Sequence, residues 1–114
     1  MHPAYLAGFF DGEACLRIRL RTRKHRPEPH YEITIEIGQK YEEPLKSIQQ
    51  VYGGTLTLRS PGTYNRLHVL AWYSRENVTC ILTMIEPFVI GKKEQVQKAL
   101  VILLEQRQVD STSR

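Results

Sequence analysis

Over residues 15–23 the chain alternates with a period of two: Leu16, Ile18 and Leu20 fall on one parity, and Arg17, Arg19, Arg21 and Arg23 on the other. Successive side chains of a strand point to opposite faces, so this run reads as a half-buried strand, apolar on one side and cationic on the other. It commits the chain to a sheet with one covered face and one basic face. Alternation returns at Ile33, Ile35 and Ile37 against Glu32, Thr34 and Glu36, after a stretch over 24–29 whose two prolines read as a loop. The two runs are expected to pair as a hairpin.

Capping and period place the remaining elements. Pro3 stands at a first helical position before an apolar stretch over 4–10, whose one polar side-chain group is the Tyr5 hydroxyl; such a helix wants burial on every side. Pro44 opens a second helix with Leu45, Ile48, Val51 and Tyr52 at helical spacing, and Gly53-Gly54 suits a left-handed cap. Leu56 and Leu58 then alternate with Thr55, Thr57 and Arg59, and a Ser60-Pro61-Gly62 turn follows. Leu67, Val69 and Ala71 alternate with Arg66 and His68 in a fourth strand. Ser74 is an N-cap for a helix striped by Val78, Ile81, Leu82 and Ile85 and stopped by Pro87. A last helix over 92–106 packs Val96, Leu100, Leu103 and Leu104.

The order helix, hairpin, helix, hairpin, helix, helix predicts one α+β domain over residues 1–108 with a single antiparallel four-stranded sheet, and a disordered tail over 109–114. A chain of 114 residues buries about 65% of its unfolded surface, enough for a core without staples. Cys15 and Cys80 lack a Cys-x-x-Cys or nearby His, so reduced, packed thiols are expected rather than zinc ligands. With no apolar run near the ~18 residues of a membrane span and no signal peptide, an intracellular setting without a membrane partner is expected: cytoplasm, nucleoid or organelle matrix.

A formal charge of +4 leans toward an anionic partner, but its location matters more than its sum. The open sheet face is expected to carry Arg17, Arg19, Arg21, Arg23, Glu32, Thr34, Glu36, Thr55, Thr57, Arg59, Arg66 and His68. Alternate arginines lie about 6.6 Å apart along a strand, close to twice the per-strand phosphate spacing. A strand ribbon fits the DNA major groove, where Arg reads guanine, Thr touches thymine methyls and Glu accepts from cytosine. Tyr31, Tyr64 and Trp72 are sparse as stacking platforms, which favours duplex over single strands. The bland reading, cross-strand ion pairs between the arginines and Glu32 and Glu36 on a wet surface, stands beside it; on that reading the chain is a small structural or interaction domain.

The end of the first helix, Leu6-Ala7-Gly8-Phe9-Phe10-Asp11-Gly12-Glu13-Ala14, is physically odd. Asp11 and Glu13 sit where the macrodipole penalises a carboxylate by about 0.3–1 kcal/mol, so something should compensate them. Gly8 and Gly12, four apart beside Ala7, leave a strip of bare backbone that a second helix could approach, the obvious candidate being a second copy about a two-fold axis.

This segment resembles the LAGLIDADG motif of homing endonucleases, and the element order resembles that family's fold over nearly the whole chain, with one motif as in its homodimeric branch. The resemblance implies a site-specific double-strand DNA endonuclease associated with intron or intein mobility. It implies a homodimer on a near-palindromic target, cleaving with Mg²⁺ or Mn²⁺, without an organic cofactor, to leave 3′ overhangs. By the same resemblance Glu13 is the metal ligand, Gln39 and Lys92 complete the catalytic set, and Leu6, Ala7, Gly8, Phe10, Asp11 and Gly12 form the dimer interface; Asp11 has a hydrogen-bonding or structural role. The alternative within the family is a non-cleaving maturase or transcription regulator. Two departures stand out: Ala14 replaces the motif's final Gly, a mild change where the backbone is extended, and Glu42-Glu43-Pro44 stands where some members place a basic residue, leaving Lys40 and Lys46 as the nearby cations.

Overall fold

The computed structural model describes residues 1–23, 26–60 and 66–112. Among them run α1 (Pro3–Glu13), β1 (Ala14–Arg23), β2 (Arg26–Gln39), α2 (Glu42–Tyr52), β3 (Thr55–Ser60), β4 (Leu67–Trp72), α3 (Arg75–Ile85) and α4 (Lys93–Thr112). The Arg23 side chain, Pro61-Gly62 of the expected turn and Tyr64 lie outside the described residues, as do residues 113–114 of the expected tail.

The architecture is α+β. The sheet is antiparallel in the order β1-β2-β4-β3, so the two hairpins meet through β2 and β4 at its centre. Local chemistry explains most element ends. Pro3 opens α1, where the His2 Nδ1 accepts the Ala4 N–H at 3.0 Å. Ser74 accepts from the Asn77 N–H at 3.2 Å as the N-cap of α3. Gly53 closes α2 at φ 73°, and Gly54 at φ 101° brings its backbone so close to Leu70 and Trp72 that a Cβ would lie 3.0 Å from both.

Two boundaries differ from expectation. β2 begins at Arg26, within the stretch expected as a loop; there β1 is its one strand neighbour, the edge setting in which a strand tolerates proline. α4 continues past Gln106 into the segment expected as a tail, since Gln and Arg favour helix and nothing in the sequence breaks it before Thr112.

The helices cover one face of the sheet. Leu6 and Phe10 of α1, Ile33, Ile35 and Ile37 of β2, Leu45 and Ile48 of α2, Leu70 and Trp72 of β4 and the apolar positions of α3 and α4 form one core. The Trp72 indole N–H donates to the Tyr52 carbonyl at 3.2 Å, so this ring is a core residue and not a stacking platform. The β1–β2 hairpin outreaches the helical layer: Leu20 and Tyr31, strand partners on the apolar parity, are 60% and 43% exposed. Cys15 and Cys80 are free thiols, as expected, but exposed rather than packed.

Candidate nucleic-acid interface and metal site

β4 takes the parity opposite to the expected one. Leu67, Val69 and Ala71 lie on the open face with Glu36, Thr55 and Thr57, whereas His68, Leu70 and Trp72 lie on the covered face. All but the first residue of β4 are buried, so alternation could not set its register; the larger Leu70 and Trp72 take the helix side and the smaller residues line the open one. His68 is thus not on the open face. It is 8% exposed, with Nδ1 3.4 Å from Glu42 Oε2. Arg66, exposed just before β4, lies close enough to Glu42 to lower its carboxyl.

The strand register brings most of the other expected residues to this face, Arg23's side chain being outside the described residues. The register sets Arg17 against Thr34, Arg19 against Glu32 and Arg21 against His30, while Thr55, Thr57 and Arg59 come from β3. Ion pairs cross it: Arg21 Nε lies 3.0 Å from Glu32, Arg17 lies 3.9 Å from Glu36, and Arg59 bonds Glu36 from the far side. The bland reading is therefore half met, but the guanidinium groups stay about half exposed and Arg19 has no ion-pair partner among the described residues. Tyr73, which follows β4 and shares a shallow concavity with Arg17, Arg19 and Arg21, was not singled out from sequence; its parity after Ala71 was the available signal.

At one end of this face α1 meets β1. Ala14 caps α1 in extended backbone, φ −80° and ψ 145°, so the missing Gly costs nothing there. The Asp11 carboxylate accepts the N–H groups of Ile90 at 2.8 Å and Lys92 at 3.0 Å. In return the Lys92 ammonium donates to the carbonyls of Phe10, Asp11 and Ala14 at 2.9, 3.1 and 2.8 Å. This clasp is the compensation that acids at a helix C-terminus require. Burial pushes the Asp11 carboxyl up, but the backbone N–H groups of Ile90, Lys92 and Gly91 and the Lys92 charge together hold it below the usual carboxylate range.

Glu13, the last residue of α1, is exposed beside this clasp. Gln39, half-buried, ends β2 two residues beyond Ile37, the strand partner of Ala14, so Glu13, Gln39 and the Lys92 ammonium come to one end of the sheet. Among the described residues no cluster of three or more His, Cys, Asp or Glu is placed to hold a metal, and Glu13 is an exposed carboxylate at this end of the sheet. Of the nearby cations, Lys46 is held by Glu42 at 2.6 Å, which keeps the Glu42 carboxyl low, and Lys40 lies over the Tyr41 ring at 5.9 Å.

Of the residues expected at a dimer face, Leu6, Ala7 and Phe10 are 0–1% exposed and pack α1 onto the chain's own core; Asp11 is held by the clasp. Gly8 and Gly12 are exposed, with open space where a Cβ would stand, and Tyr5 beside them is 47% exposed.

A family model described as LAGLIDADG endonuclease matches residues 6–101, and the chain belongs to that family of homing endonucleases. Its fold is that of solved homing endonucleases. I-CvuI, crystallised with the I-CreI target and Mg, is 22% identical with a TM-score of 0.75 over 89% of this chain and 64% of its own. I-TnaI is 18% identical at 0.76 over 95% and 75%. The meganuclease I-SmaMI, bound to uncleavable DNA, is 19% identical at 0.79 over 95% of this chain and 38% of its own. The chain thus spans 64% of that I-CvuI chain. A search of curated proteins found no match. Among the described residues no helix is long and apolar enough to cross a membrane.

Proposed function

We propose that the chain is a site-specific double-strand DNA endonuclease that acts as a homodimer on a near-palindromic target, using a divalent metal to hydrolyse one phosphodiester in each strand and leave 3′ overhangs. The observation that carries this reading is Glu13, an exposed carboxylate at the end of the sheet face that carries Arg17, Arg19 and Arg21. A duplex lying along those arginines brings a phosphate to that carboxylate.

The donor set suits Mg²⁺ or Mn²⁺, which takes one or two carboxylates and completes its shell with phosphate oxygens and water. Bound beside Glu13, the ion supplies Lewis-acid neutralisation of the phosphate. The chain's own residues hold and orient. Glu13 binds through its carboxylate, and the Gln39 amide orients the hydrolytic water. Lys92 has its three N–H donors on the carbonyls of Phe10, Asp11 and Ala14, so it fixes the turn bearing Glu13 and lends positive charge beside the reacting phosphate. Gly8 and Gly12 let a second copy approach, which sets one Glu13 against each strand.

Incubation with a randomised duplex library and Mg²⁺, followed by sequencing of the ends, is expected to recover one near-palindromic site with staggered cuts. Glu13→Gln should abolish cleavage while leaving metal-free binding intact, and equal cleavage by this variant would overturn the metal assignment. A wild-type protein that enriches a site without cutting it would instead establish a non-cleaving binder.

A further inference from the structure

At the centre of the open face the charges are arranged with the acid inside and the cations outside. The Glu36 side chain is 11% exposed, whereas those of Arg17 and Arg59, which it holds, are 42% and 46% exposed. Burying a carboxylate costs free energy unless cations and hydrogen bonds satisfy it. Each Glu36 oxygen has its own guanidinium: Oε1 faces Arg17 of β1, and Oε2 accepts from Arg59 of β3. β4 lies between β2 and β3, so the Arg59 side chain must cross it. Small residues make that crossing possible, since Glu36 is paired with Ala71, and Val69 is next on the same parity. A register shift between Leu58 and Ser60 falls on Arg59, and such irregularities re-aim a side chain out of the strand's normal projection.

The carboxylate draws the two guanidinium groups toward one point: Arg59 is hydrogen-bonded to it, and Arg17, which also interacts with the Cys15 side chain, is within ion-pair reach at 3.9 Å. Arg59 donates through Nη1 and Arg17 turns Nη1 toward Glu36, leaving N–H donors of each five-donor fork for solvent or a ligand. Because both converge on one carboxylate, the forks stand within about one or two base-pair steps of about 3.4 Å. We propose that Glu36 is a positioning residue, not a base reader, and that it presents Arg17 and Arg59 as paired forks that each take the O6 and N7 edge of a guanine, within about three consecutive base pairs of the target. This rests on the reading of the open face as a duplex-DNA surface. With its side chain 11% exposed beneath the arginines, Glu36 does not reach a cytosine amino group, the role its residue type suggests on an open strand.

The test is selection of bound duplexes from a randomised library without divalent metal, read position by position. Wild-type protein should enrich guanine at two positions within about three base pairs. Glu36→Gln, nearly isosteric, should lower both preferences by about tenfold or more, the scale of a lost bidentate pair. It should leave affinity for non-specific duplex unchanged or raised, since a negative charge is removed. Falling specificity with undiminished non-specific affinity and an unchanged melting temperature is a pattern that structural damage does not produce. Arg17→Ala and Arg59→Ala should each erase guanine preference at one position, and they decide the matter if Glu36→Gln fails to fold: loss at neither position overturns the proposal. A folded Glu36→Gln that keeps both guanines overturns it, as does loss of a single cytosine preference, which would make Glu36 the reader. Failure of wild-type protein to enrich any duplex would overturn the DNA reading of the face itself.

Discussion

Asp11 and Lys92 are eighty-one positions apart and hold each other's backbone. That a compensator for Asp11 and Glu13 must exist was legible in the sequence, because carboxylates at a helix C-terminus are unfavourable wherever they occur. Lys92 as its source was not, since an ammonium in a first helical turn looks the same whether solvated or bonded to three distant carbonyls. The clasp makes stability pH-dependent. The folded-state value of Asp11 lies below its unfolded value of about 3.8, so its contribution is present in full above the unfolded value and is lost as pH falls through the folded one. Denaturant titrations across that acidic range should show wild-type stability falling, and Asp11→Asn should be less stable at neutral pH with a flatter acid limb. Parallel curves for the two proteins would remove the clasp as the cause.

Among the elements, α1 departs most from its sequence reading. An apolar run wants burial all round, yet the sheet and α3 bury Leu6, Ala7 and Phe10 while Gly8 and Gly12 remain open. Folding and self-association can therefore be separated. A side chain at Gly8 meets nothing within 4 Å in the single chain and replaces the poorer helix former, so Gly8→Leu should fold with equal or greater stability. On the proposed homodimer it should also sediment as a monomer under conditions where wild type sediments as a dimer; a dimeric variant would place the two-fold contact elsewhere. β4 gives the converse lesson. Its residues are apolar on both parities, so either assignment satisfied the sequence, and the choice came from the volume available beneath α2 and beside Gly54.

For the whole molecule, the formal charge of +4 describes solubility better than binding until it is located. Arg19, exposed on the open face without an ion pair among the described residues, is the cleanest probe of that location. Arg19→Ala should lower the salt slope of DNA binding by about one while leaving the melting temperature unchanged, and an unaltered slope would move the interface elsewhere. Sequence alone determined the alternation of β1, the hairpin order, the single sheet and the motif at the end of α1, because period, caps and turns are set by neighbours within a few residues. The tertiary structure decided which parity of β4 faces outward, which part of α1 stays open, that His68 lies under the sheet, and that Glu36 lies beneath two arginines. Those outcomes depend on volumes and charges brought together from distant segments, and no local pattern carries them.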